Sequence, residues 1–199
     1  LFVAIPLPES IKDEIEKAQT ELRRGLAEDC VRWTKRAQFH LTLKFLGDVE
    51  AERVADLKNV VSNACEKFPA MQLRAERIGF FPQARSPRVV WVGVNDPAGT
   101  LPQLQNAVDA ALKEYSREKP EGIFTGHVTL GRVKMIKRPQ ADLLAKLALD
   151  MATRRFGEWT ADKVELIRSE LASDGARYTT LAAVDLGRAG LSSARRTAR

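Results

Sequence analysis

The chain carries two histidines, and both stand in the same setting, His40-Leu41-Thr42-Leu43 and His127-Val128-Thr129-Leu130. Imidazole is the side chain whose ordinary pKa, ~6.5, lets it give or take a proton near neutrality. Two imidazoles can divide one reaction, the first entering protonated as acid and the second neutral as base. A threonine hydroxyl two residues further on donates hydrogen bonds suited to the non-bridging oxygens of a phosphate. These residue types point to in-line displacement at phosphorus without a metal. A single histidine in an apolar strand is more often a structural residue. The repeated context, with the same polar partner each time, favours the catalytic reading.

Each tetrapeptide lies in a run, Phe39 to Leu46 and Ile123 to Val133, with the length and composition of a buried β-strand. Strand side chains alternate between faces, so His and Thr at i and i+2 point one way while Leu41 and Leu43, or Val128 and Leu130, point the other. The apolar pair anchors the strand in a core and the imidazole and hydroxyl face a cavity. Folding is expected to bring both pairs to one pocket.

The two segments, with Lys44-Phe45-Leu46-Gly47 after the first and Gly131-Arg132 after the second, resemble the paired His-x-Thr-x motifs of the two-histidine phosphoesterase superfamily. Within it the chain resembles the RNA 2′,3′-cyclic phosphodiesterases, historically called 2′-5′ RNA ligases. The likeness extends to Leu1-Phe2-Val3-Ala4-Ile5, Arg32-Trp33, Phe81-Pro82, Pro87 to Val94, Arg168-Ser169-Glu170-Leu171 and Gly175-Ala176-Arg177-Tyr178, and so covers the chain to about Leu186. It implies His40 as the proton donor to the departing 3′ oxygen and His127 as the base that activates water, with a 2′-phosphomonoester as product and no cofactor. The chain departs from the family pattern at Pro6, often acidic there, at Gly131, commonly alanine, and at Thr34-Lys35-Arg36, which replaces a proline-containing approach to the first motif.

A chain of 199 residues suffices for one substantial domain or two small lobes sharing an interface. Its apolar share of 44% and charged share of 29% are those of an ordinary globular protein. No apolar stretch approaches the ~20 residues that span a bilayer, and Leu1 to Ile5 reads as a first strand rather than a leader peptide. A cytoplasmic monomer without membrane association is the expectation. Cys30 and Cys65 belong to no Cys-x-x-Cys pattern, and a zinc site would need ligands gathered from elsewhere. Both read as reduced thiols.

A net charge of +6 favours an anionic partner, RNA above all. Arg188, Arg195, Arg196 and Arg199, however, supply four of those six charges from a segment beyond the last strand. Residues 1–186 are therefore expected to form the domain and 187–199 a basic, flexible tail.

Apolar spacing predicts helices over Ile11–Leu26, Glu50–Phe68, Leu101–Tyr115 and Gln140–Ala152. Strands are expected at Leu1–Ile5, Val31–Trp33, Met71–Phe80, Arg88–Val94, Thr160–Ser169 and Arg177–Leu186, beside the two motif strands. The connection Phe81 to Pro87 is too proline-rich for a central strand and reads as a loop bordering the cleft. Helices and strands mix without strict alternation, which predicts an α+β fold. Two interleaved lobes with pseudo-twofold symmetry, each an antiparallel sheet backed by helices, would meet at an active-site groove.

Thr42 and Thr129 are expected to bind the phosphate oxygens. Lys44 shares a face with His40 and Thr42 by alternation, where it would lower the pKa of His40 or contact RNA, unless it is a solvated strand-end lysine. Arg132 faces away by the same rule and reaches the phosphate only if the strand ends or bulges near Gly131. For Phe45 and Trp33 core packing is expected, with stacking on a nucleobase as the alternative. Arg168 and Tyr178 show no chemistry of their own in their spacing. The leading function is hydrolysis of an RNA 2′,3′-cyclic phosphate. Reversible 2′-5′ ligation and noncatalytic binding of RNA ends are the alternatives.

Overall fold

The computed structural model describes residues 1–27, 30–116, 123–172 and 175–187. The expected tail, from residue 188 onward, lies outside them. Among the described residues, nine strands and four helices follow in the order β1 (Phe2–Pro6), α1 (Glu9–Arg24), β2 (Val31–Trp33), β3 (His40–Phe45), α2 (Val54–Cys65), β4 (Met71–Phe81), β5 (Val89–Asn95), α3 (Thr100–Ala111), β6 (His127–Val133), α4 (Arg138–Asp150), β7 (Arg155–Ala161), β8 (Lys163–Ala172) and β9 (Gly175–Asp185).

Two antiparallel sheets result, β3-β1-β8-β9 and β2-β6-β5-β4-β7. The chain passes between them repeatedly, so the lobes are interleaved as expected. Helices α1 and α4 back the five-stranded sheet, while α2 and α3 back the four-stranded one. In α1, Ile11, Ile15, Ala18 and Leu22 recur at helical spacing and are all buried. Val3, Ile5, Leu41 and Leu43 enter the main core, whereas Phe2, Ala4 and Ile167 form a separate small cluster on the other face of the same sheet. That second face belongs to the cleft.

Three expectations need correction. Thr160 to Ser169 is not one strand: the chain turns at Asp162, with β7 joining the five-stranded sheet beside β4 and β8 the four-stranded sheet beside β1. The apolar period failed here because Gly157, at φ 129, marks a shift in the β4–β7 register. Phe156 and Trp159 are therefore both buried although an odd number of residues apart, which no period of two reveals. The second motif strand begins only at His127, and Ile123 is 99% exposed rather than buried. Gly126 ends the irregular approach, where a Cβ would stand 2.7 Å from the Val94 carbonyl oxygen. Finally, α4 starts at Arg138, with Pro139 inside its first turn, a position where the missing N–H costs nothing.

One packing contact ties the five-stranded sheet to the cleft. Trp91 lies opposite Gly79 in the β4–β5 ladder, and a Cβ on Gly79 would stand 2.1 Å from the indole Cη2. Gly79→Ala should therefore displace Trp91 and destabilise the fold by about 1–3 kcal/mol, the usual cost of overpacking. Urea unfolding followed by tryptophan fluorescence measures both effects.

Candidate active site

The motif strands follow the expected alternation for their first three residues. Leu41 and Val128 are fully buried, while His40, Thr42, His127 and Thr129 are half-buried on the opposite face. Each histidine is then oriented by the same local bond. His40 Nδ1 lies 2.7 Å from the Gln38 carbonyl oxygen and His127 Nδ1 lies 2.8 Å from that of Thr125. A carbonyl only accepts, so Nδ1 carries the proton in both rings and the lone pair of each neutral imidazole resides on Nε2. Nε2 is thereby a base when neutral and an acid when charged, in one fixed orientation.

Beyond the third residue both strands depart from alternation at the same place. In β3 the partners of Ala4, Val3 and Phe2 are Thr42, Lys44 and Phe45, so Leu43 is an extra residue. In β6 the partners of Trp91, Val90 and Val89 are Thr129, Gly131 and Arg132, so Leu130 is extra. The two bulges occupy equivalent positions, the third residue after each histidine. Their effect is to return the fifth residue after each histidine to the cleft side.

This reassigns three side chains. Arg132 meets the condition set for it: the bulge turns it to the cleft, which it lines together with His127 and Thr42. Phe45, expected in the core, is instead 42% exposed on the cleft wall, its ring 5.9 Å from that of Phe2. Lys44 does not share the face of His40. It pairs with the core-facing Val3 in the ladder and donates to Asp109 of α3 at 2.5 Å, at the edge of the cleft. Trp33 packs against the core as expected and stands over Gly131, where a Cβ would lie 3.1 Å from its ring and 2.6 Å from Val31 Cγ1. That crowding favours glycine at this position.

The cleft encloses about 1020 Å³ between the sheets. His127 lines it, and His40 packs against Phe2 and Tyr178, which line it. Each imidazole is flanked by two aromatic rings. Phe2 stacks on His40 at 4.7 Å and Tyr178 meets it edge-on at 5.4 Å. Phe81 meets His127 edge-on at 5.0 Å and Trp91 lies at 6.2 Å. Among the described residues, no group of three or more His, Cys, Asp or Glu could hold a metal ion. Cys30 and Cys65 are both buried and unpaired, and burial pushes the Cys65 thiol up to about 12, leaving it neutral.

Burial among these rings lowers the pKa of His40 to about 4. The Gln38 carbonyl opposes the shift, and the positive charges of His127 and Lys12 add to it. The lysine acting on His40 is thus Lys12 of α1, not Lys44. Burial raises the Tyr178 phenol while Arg132, which also lines the cleft, opposes it.

Two functional residues escaped the sequence. Tyr178 had only its family match as a signal. Gln19 of α1 had none, yet it is the buried polar side chain among the described residues. Its Nε2 donates at 2.9 Å to the carbonyl of Leu130, the bulge residue, and at 2.8 Å to that of Thr34. It holds in place the irregularity that turns Arg132.

Comparison with known proteins assigns the family and the fold. The LigT like Phosphoesterase family model matches residues 5–91. The RNA 2′,3′-cyclic phosphodiesterase of Methanothermobacter thermautotrophicus is 32% identical over 180 residues, covering 90% of this chain and 95% of the relative. This chain belongs to the LigT-like phosphoesterase family. The RNA 2′,3′-cyclic phosphodiesterase of Archaeoglobus fulgidus is 33% identical, over 91% of this chain and 97% of the relative. A crystal structure of a Thermus thermophilus protein superposes with a TM-score of 0.75 at 26% identity, covering 95% of this chain and 98% of that one.

The electrostatics and the bulge can each be tested. Because folding favours neutral His40, its contribution to stability is present above pH 6.5 and is lost as pH falls toward 4. An NMR titration should find its midpoint near 4 in the free protein and higher with bound inorganic phosphate, whose charge favours the imidazolium. Gln19→Leu should cost about 1–3 kcal/mol by removing the side-chain donor to the Thr34 carbonyl and leaving that of Leu130 with the Thr34 N–H alone, as read by chemical denaturation.

Proposed function

We propose that this chain hydrolyses the terminal ribose 2′,3′-cyclic phosphate of RNA to a 2′-phosphomonoester by acid–base catalysis with its two histidines. The observation that carries this reading is the duplicated frame: two imidazoles, each pinned through Nδ1 to the carbonyl two residues earlier, His127 lining the cleft and His40 packed against Phe2 and Tyr178, which line it. The names of the relatives and the family support it.

In the proposed reaction His127 Nε2 removes a proton from water as the water oxygen bonds to phosphorus. The bond from phosphorus to the 3′ oxygen breaks in line, and protonated His40 gives its Nε2 proton to that oxygen. The hydroxyls of Thr42 and Thr129 donate to the non-bridging oxygens, and Arg132 offsets their charge from the cleft side of the bulge. Phe45, exposed on the wall, offers a face for the terminal base. Lys44, held by Asp109, orders the wall beside it rather than touching phosphate. All these groups come from one chain, consistent with action as a monomer, and the cytoplasm is the proposed compartment. Among the described residues no helix is long and apolar enough to cross a membrane.

Nucleoside 2′,3′-cyclic phosphates, supplied with excess chelator, should be turned over, with phosphorus NMR placing the product phosphate on the 2′ oxygen. His40→Ala and His127→Ala should each depress kcat by about two to four orders of magnitude. Rates near wild type in both variants would remove the acid–base assignment, and binding without turnover by the wild type would leave a noncatalytic RNA-end binder.

A further inference from the structure

The bulge in β6 puts Arg132 in an unusual position. It lies directly opposite Arg32 of β2 in one direction and Val89 of β5 in the other. Residues opposite one another in an antiparallel ladder share a face, so two exposed guanidinium groups stand side by side at the rim of the cleft. Like charges so placed destabilise a sheet unless an anion lies between them. Among the described residues neither arginine has a carboxylate partner.

The same strand ends continue into a second groove of about 820 Å³, formed where the β4–β5 loop and the end of β6 face α4. Arg85, Arg88 and Lys134 line it, and none is in an ion pair among the described residues. The carboxylate in its lining, Asp142, already faces Arg138 at 3.9 Å. Met135, 80% exposed, adds an apolar surface. Arg88 directly precedes Val89 and its carbonyl accepts from the Val133 N–H at 2.9 Å, and Lys134 is two residues beyond Arg132, so the cations of the groove follow within two residues of the rim pair along both strands.

We infer that Arg32 and the groove of Arg85, Arg88 and Lys134 form a track for the phosphodiester backbone of the RNA strand leading to the cyclic phosphate. The inference rests on the proposed reaction and adds to it a chain-binding site outside the cleft. A polyanion recognises such a row through successive phosphates, because releasing its counterions rewards every cation it meets. The groove is remote from bond breaking in this scheme. It affects only substrates long enough to enter it.

The test compares the wild type with the triple variant Arg85→Ala, Arg88→Ala, Lys134→Ala on two substrates, a nucleoside 2′,3′-cyclic phosphate and an octaribonucleotide ending in one. The expected result is a KM on the order of tenfold higher for the octamer, with the mononucleotide unaffected. The salt dependence of octamer binding should be shallower by about 2 in the log–log slope, at ~0.7 per phosphate contact on a single strand. An unchanged KM for the octamer, or equal losses on both substrates, would overturn the track. If the wild type hydrolyses neither substrate, the reaction assigned above fails. Fluorescence anisotropy of a labelled octamer then decides the track separately, weaker binding by the variant supporting it and equal binding overturning it.

Discussion

A β-strand that offers one side chain to a ligand commits every second residue to the same side and the residues between to the core. A site built from two strands under that rule would present only the first, third and fifth residues of each motif. The extra residue at Leu43 and at Leu130 lifts the restriction in both strands at the same point. It keeps histidine and threonine on the cleft side, sends the fourth residue after each histidine back toward the helices, and returns the fifth to the ligand. The rest of the site depends on this paired irregularity. Without it Arg132 would point into packing and Lys44 would crowd His40 with a positive charge.

The bulges also define how the two lobes differ. After the equivalent kink one strand presents Phe45 and the other Arg132, so a pseudo-symmetric frame acquires an aromatic wall on one side and a cationic one on the other. The supports differ in the same way. Lys44 is tied to Asp109 of α3, whereas the carbonyl of Leu130 is held by Gln19 of α1. A terminal nucleotide is itself asymmetric, with a flat base at one end and phosphate at the other. In the proposed reaction these two positions meet its two ends.

The histidine pair, the threonines and the first half of each alternation were legible because they depend on local spacing. The α+β class and interleaved sheets were legible from the order of elements and from the family resemblance. What escaped depends on the neighbouring strand. A bulge is a relation of register between two chains of backbone, and neither Leu43 nor Leu130 differs in type from a residue that continues the ladder. Lys44 and Phe45 were therefore exchanged between faces, while Arg132 could be stated only as a condition. The strand β7 was lost for the same reason, its buried Phe156 and Trp159 falling out of period beside Gly157. Gln19 was hidden differently: a polar residue on the apolar stripe of an amphipathic helix gives no sign that the carbonyls of Thr34 and Leu130, far off in sequence, lie within its reach.

The aromatic surroundings of the imidazoles separate acid from base in the proposed reaction more subtly than two fixed charge states would. With its pKa near 4, His40 is neutral in the empty cleft at pH 7, yet the reaction requires it as the acid. The same desolvation that expels its charge also strengthens any later pairing with an anion, since both act through the low polarity of the rings of Phe2 and Tyr178. A cyclic phosphate entering the cleft brings a negative charge against His40 and shifts its equilibrium toward the imidazolium. The general acid is then charged only when there is a leaving group to protonate, and a proton taken up with the substrate is the one delivered to the 3′ oxygen. Burial sets the threshold for that charge, with His127 and then Lys12, itself paired with Glu9, adding smaller oppositions.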